Sequence, residues 1–146
     1  VVMRTFSKIY GLAGLRVGYC SAGPRVIEGL RFVLAPFNVS TVGQAAALAA
    51  LDDAAHVRAT QEQARESKQY WYGEFEAMGL SYVPTQANFV LVDVKQDCRA
   101  VYDGLMRRGI TVRTGDIWGL NTMIRVSYGT MDQNRKFIAA LREVLA

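Results

Sequence analysis

Hydrophobic positions follow two rhythms along this chain. In the first part, Val1 to Arg4 is a short apolar run that reads as a buried strand. Leu15 to Cys20 reads as a second strand, with Gly11, Gly14 and Gly18 around it marking tight turns and close backbone approach. Pro24 stands where a helix can begin, since the first helical position needs no amide hydrogen bond. Val26, Ile27, Leu30, Val33 and Leu34 give that helix an apolar face, and Pro36 ends it. Thr41-Val42-Gly43-Gln44 has the spacing of a capping box ahead of an alanine-rich helix that runs to Leu51. Asp53 is placed to cap the next helix. There Val57, Thr60, Ala64, Ser67, Trp71, Phe75 and Met78 recur at three- and four-residue steps and predict one long amphipathic helix ending near Gly79. Its stripe contains small and polar members, which favours packing on another domain over a coiled coil.

The second rhythm begins after Gly79. Asn88 to Val94 is strand-like, Cys98 to Arg108 is helical with Gly109 as its stop, and Ile110 to Arg113 reads as a strand. Met123 to Tyr128 is another strand, and Asp132 to Leu145 a closing helix. The order β-α-β-β-α predicts a small α/β unit with helices packed on one sheet. A boundary is expected in the Leu34–Thr41 segment, with the long helix joining what precedes it to the last piece. Val1 is not a methionine and opens directly on apolar residues, so it reads as the middle of a strand whose neighbours lie upstream.

Composition narrows the class. Of 146 residues, 51% are hydrophobic and 21% charged, the balance of a folded globular chain. No apolar run reaches the roughly 18–20 residues of a membrane span, so no membrane partner is expected. The net charge of +4 comes from scattered Lys and Arg with no basic stripe, so no nucleic-acid partner is expected either. The excess suits an anionic ligand. Cys20 and Cys98 form no CxxC pair and read as inert small hydrophobes in a reducing, cytoplasmic setting. With His56 the only histidine, no metal site is expected, and His56 itself reads as a solvated residue at a helix end.

The candidate chemistry sits in Arg4-Thr5-Phe6-Ser7-Lys8-Ile9-Tyr10-Gly11-Leu12-Ala13-Gly14-Leu15-Arg16-Val17-Gly18-Tyr19. Lys8 follows an apolar strand and precedes glycines, which puts it at a strand end, where α/β sheets bind ligands. A lysine amine condenses with an aldehyde when burial or a nearby cation lowers its pKa. In an extended run, Thr5 and Ser7 would present hydroxyls on one face. With the forked guanidinium of Arg16 they suit a phosphate.

This segment resembles the lysine motif of fold-type I pyridoxal-phosphate (PLP) enzymes, closest to the histidinol-phosphate aminotransferase family. Further stretches resemble that family in the same order: Gln86-Ala87-Asn88-Phe89-Val90-Leu91-Val92, then Gly109-Ile110-Thr111-Val112-Arg113, then Ile124-Arg125-Val126-Ser127-Tyr128-Gly129-Thr130. The resemblance spans essentially the whole chain and corresponds to the C-terminal part of such an enzyme. It implies an α/β fold divided into the end of the large PLP-binding domain (1–37), interdomain helices (38–79) and a small C-terminal domain (80–146). It implies that Lys8 is the catalytic, cofactor-linked lysine and that Thr5, Ser7 and Arg16 bind the PLP phosphate. Arg125 would pair with the substrate α-carboxylate, and Arg113 would lie near the distal, phosphate-bearing end. Thr114-Gly115 follows Arg113 where relatives often carry Pro-Gly or Pro-Leu, a departure that bears on this last role.

The implied activity is transamination between L-histidinol phosphate and 2-oxoglutarate by a cytoplasmic homodimer. An aromatic amino-acid aminotransferase and a PLP-dependent decarboxylase of an amino-acid phosphate share most of these motifs. An effector-binding regulatory module of the same fold is the alternative without turnover. The family's carboxylate for the pyridine nitrogen, the groups flanking the ring and the first glycine-rich phosphate turn all precede the lysine and have no match here. The 146 residues alone are therefore expected to be inactive.

Overall fold

A computed structural model describes residues 1–146, in which the chain forms two compact units, Val1–Gln61 and Glu62–Ala146. In the first unit, β1 (Val2–Thr5) pairs antiparallel with β2 (Gly18–Ser21), with Thr5 opposite Gly18. Gly18 is required there, because a Cβ would stand 2.9 Å from the Arg4 carbonyl oxygen. The buried strand expected at Val1–Arg4 is a strand, but all four residues of β1 are exposed, since β2 is its only ladder partner. The second strand is also shorter than expected. Ala13–Leu15 forms a single 3-10 turn and Arg16 adopts a left-handed conformation before β2 begins.

The loop between β1 and β2 has its own small core. Phe6 and Val17 are buried with Ala47, and Tyr10, Leu12, Leu15, Val39 and Ala50 pack around them. Ala47 comes from α2 (Thr41–Asp52), which follows α1 (Pro24–Val33). At Gly43 of α2 a Cβ would lie 2.8 Å from Val17 Cγ2 and 3.3 Å from the Leu15 carbonyl oxygen, so a glycine lets the helix approach the loop. The cap of α2 sits one residue earlier than the sequence suggests. Ser40 Oγ accepts from the Gly43 amide at 3.0 Å, while Gln44 turns back to the Val39 carbonyl, so Thr41 is the first helical residue. Asp53 does cap α3 (Ala54–Ala77), accepting from the His56 amide at 2.9 Å.

The second unit takes up the rest of α3. Ser67, Trp71 and Phe75 of the predicted stripe are buried there, and Gly79 ends the helix as expected. Gly79 has φ +65°, its amide reaches the Glu76 carbonyl and the Leu80 amide reaches Phe75, the left-handed termination that glycine allows. A four-stranded antiparallel sheet follows in the order β3-β4-β6-β5, made of β3 (Tyr82–Val83), β4 (Phe89–Asp93), β5 (Arg113–Thr114) and β6 (Met123–Ser127). Helices α4 (Cys98–Met106) and α5 (Met131–Leu145) complete it. Val90, Val92, Ile124 and Val126 alternate inward and meet Trp71, Phe75, Leu105, Phe137 and Leu141 in one core.

Two local expectations change. The strand expected over Ile110–Arg113 contracts to β5, because the Ile110 amide is already bonded to the Leu105 carbonyl in the glycine-ended turn at Gly109. The capping box occurs at α5, where Thr130 and Gln133 bond reciprocally, so this helix begins at Met131. Cys98 is buried as expected of a small hydrophobe, but Cys20 is exposed on β2.

Asn134 is the polar element inside this core. It donates to Ser67 Oγ at 2.8 Å and to the Gly129 carbonyl, and accepts from the Gly129 amide at 3.1 Å. Asn134→Ala leaves Ser67 and the Gly129 amide without this partner. The expected cost is about 1–3 kcal/mol of stability, read as a lower urea midpoint with an unchanged slope.

Candidate active site

The lysine loop is built by its own backbone. The Phe6 amide donates to the Val17 carbonyl at 3.1 Å, and the Leu12 amide returns to the Phe6 carbonyl at 3.0 Å. Between them the Gly11 amide donates to the Lys8 carbonyl at 2.9 Å, so Lys8 opens a tight turn that Gly11 closes at φ +70°. β1 ends at Thr5, and the alternation expected to align the Thr5 and Ser7 hydroxyls stops there. Thr5 and Ser7 are joined instead by a local turn in which Thr5 Oγ1 accepts from the Ser7 amide at 3.0 Å.

Thr5, Ser7, Lys8 and Arg16 thus belong to one short loop of the first unit. Lys8 is exposed, and neither it nor Arg16 enters any ion pair. Arg16 spends one guanidinium nitrogen on the Ala13 carbonyl at 2.7 Å and keeps its other donors available. From Thr5 to Tyr19 there is no carboxylate. Two hydroxyls, an unpaired amine and a partly free guanidinium form a donor set for a phosphate-bearing aldehyde, and nothing acidic in the loop opposes it. These residues fit the group that the sequence resemblance implies.

The two arginines lie in the second unit. Arg113 of β5 stands directly opposite Arg125 of β6, and Leu91 of β4 is the next residue across. Like charges at opposed strand positions repel. No carboxylate relieves them: Asp116 is taken by Arg99 at 2.6 Å, and Asp93 caps the Lys95 amide. Hydrogen bonds from Thr114 and Arg99 hold the Asp116 carboxyl below its ordinary range, so it stays ionised and committed to that pairing. Arg125 is half-buried, its Nε is buried with no hydrogen-bond partner, and its guanidinium lies 4.9 Å from the Phe89 ring centre and 5.8 Å from that of Trp118. A guanidinium held by aromatic faces and left without an acid is prepared to take an external anion. Arg113 is exposed beside it, at the edge of a shallow hollow that also includes Arg99, Tyr102 and Asp116.

Sequence reasoning missed the aromatic partners. Phe89 was legible as a strand residue, but its place beside Arg125 depends on the β4–β6 register, in which Phe89 faces Ser127 and Leu91 faces Arg125. Trp118 lies in a 3-10 turn (Asp116–Trp118) that no periodicity announces. His56 is exposed near the start of α3, as expected, and in addition places Nε2 3.0 Å from the Ile9 carbonyl oxygen next to Lys8.

The family profile described as "Aminotransferase class I and II" matches residues 1–141. A histidinol-phosphate aminotransferase of Moorella thermoacetica is 55% identical over 146 residues, covering 100% of this chain and 38% of the relative. That of Caldicellulosiruptor saccharolyticus is 48% identical over 145 residues, covering 99% and 40%. A histidinol-phosphate aminotransferase of Sinorhizobium meliloti, solved in complex with pyridoxal-5'-phosphate, superposes with a TM-score of 0.88 at 36% identity, covering 98% of this chain and 40% of that one. The chain therefore spans about two-fifths of the length of the relatives it matches.

Proposed function

This chain belongs to the class I and II aminotransferases, and from that premise we propose that the protein containing it is a PLP-dependent histidinol-phosphate:2-oxoglutarate aminotransferase. The observation that carries the reading is the loop of Thr5, Ser7, Lys8 and Arg16, which combines an unpaired amine with phosphate-binding donors and no acid. When bound, PLP supplies an electron sink for negative charge developing at the substrate α-carbon.

The rest falls to the chain's own residues. Thr5 and Ser7 hydroxyls and the Arg16 guanidinium hold the cofactor phosphate. Lys8 Nζ would hold the cofactor and, once free, would take the proton from the substrate α-carbon as general base. Arg125 would clamp the anionic group next to the reacting carbon, the carboxylate of 2-oxoglutarate or the phosphate that L-histidinol phosphate carries in place of a carboxylate, and its bidentate fork would fix which bond at that carbon breaks. Arg113, exposed beside it, meets the phosphate end of the substrate. The division into large domain (1–37), joining helices (38–79) and small domain (80–146), the homodimer and the cytoplasmic setting belong to this proposal for the whole protein. Activity is proposed for that protein and not for these 146 residues alone.

The test is a glutamate-release assay with L-histidinol phosphate and 2-oxoglutarate, run beside one with phenylalanine as donor. Faster turnover of histidinol phosphate supports the reading, and preference for phenylalanine replaces it with the aromatic one. Arg113→Ala is expected to lower kcat/KM for histidinol phosphate more than for phenylalanine, because only the former presents a phosphate. Equal losses on both donors would make Arg113 structural.

A further inference from the structure

The geometry points to His56 as the positioning residue of the lysine turn: its ring bonds the backbone next to Lys8 and holds the cofactor-binding loop in register. This rests on the reading of Lys8 as the cofactor lysine. Hydrogen bonds within the loop run from Phe6 to Val17, Leu12 to Phe6, Gly11 to Lys8 and Leu15 to Leu12, all inside one short segment. The side-chain bonds of Thr5 and Arg16 are equally local. The bond from His56 Nε2 to the Ile9 carbonyl oxygen, 3.0 Å long, joins residues 47 apart in sequence and reaches this turn from another element of the same unit.

The Ile9 carbonyl accepts no backbone amide in the turn, where Lys8 supplies the acceptor for Gly11. A carbonyl oxygen only accepts, so Nε2 carries the hydrogen. Thr60 Oγ1 stands 3.5 Å from the same nitrogen. His56 is itself held at the start of α3, where its amide is capped by Asp53 at 2.9 Å. Asp53 therefore fixes His56, His56 fixes Ile9, and the Lys8 stem leaves the chain one residue before. Apolar packing of Phe6 and Val17 secures the base of the loop. Lys8 and Gly11 at its tip have no such burial and depend on this bond.

The experiment uses the whole protein, wild type against His56→Ala, His56→Leu and His56→Gln. Alanine is a strong helix former and keeps the amide that Asp53 caps, so the substitution removes only the ring. Leucine fills more of the ring's space without a donor, and the glutamine amide can restore one. In PLP-free protein, exchange of the Gly11 and Leu12 amides is expected to quicken about three- to tenfold in His56→Ala and His56→Leu, the effect of one modest hydrogen bond. PLP affinity, followed by the visible band, is expected to fall by a similar factor in the same two variants, with both effects reversed in His56→Gln. Wild-type exchange in a folded His56→Ala or His56→Leu protein would overturn the proposal. Faster exchange with unchanged PLP affinity would overturn it as well, because the bond would then steady the turn without serving Lys8. No PLP band in wild type would instead refute the reading of Lys8, and the exchange rates would still decide whether His56 holds the turn.

Discussion

In the whole protein, Lys8→Ala is expected to abolish the visible absorbance of lysine-bound PLP and to lower transamination by at least about two to four orders of magnitude, the usual loss with a general acid–base group. The loop gives the physical reason. Lys8 has no ion-pair partner and stands at the mouth of a turn whose bonds are all made by backbone groups and His56. Alanine therefore removes the amine without disturbing what folds the loop. PLP itself should still bind more weakly through its phosphate, since Thr5, Ser7 and Arg16 remain. Turnover near wild type in Lys8→Ala would show that another group does this work.

Arg125→Ala has the second largest expected effect, on substrate and not on cofactor. Affinity for the amino donor should fall by about 2–5 kcal/mol, the range for removing one partner of a desolvated charge pair. Arg125 is half-buried between Phe89 and Trp118 with an unpartnered Nε and no protein carboxylate, so the donor's anionic group, a phosphate in histidinol phosphate and a carboxylate in an amino acid, meets a guanidinium already partly desolvated and oriented. PLP binding should be unchanged. The measurement is the substrate dependence of the first half-reaction, together with PLP titration. Unchanged substrate affinity with lost PLP would reverse the roles given to the two halves of the chain.

What was legible in the sequence follows the range of the interactions involved. Helix stops at Gly79 and Gly109 were readable, because a left-handed terminus needs glycine and leaves a local mark. The long stripe ending in Trp71 and Phe75 was readable because α-helical periodicity is local. The cap of α2 was misplaced by one residue because Ser40 and Thr41 are both good caps, and the close fit of Gly43 against Val17 is a tertiary fact. β5 shrank because the Gly109 turn took the Ile110 amide first. At the candidate site, Lys8, Arg113 and Arg125 could be named from motifs. The opposition of the two arginines, the aromatic faces on Arg125 and the bond from His56 to Ile9 come from strand register and packing, which no local pattern encodes.

If Lys8 carries the cofactor, the bond between them can be trapped and located. The whole PLP-loaded protein is reduced with borohydride, digested, and the peptides bearing a reduced pyridoxyl group are identified by mass spectrometry. One label per chain is expected, on the peptide containing Thr5-Phe6-Ser7-Lys8-Ile9, and none in Lys8→Ala. A label on Lys68, Lys95, Lys136 or any other lysine, with Lys8 unmodified, would contradict it.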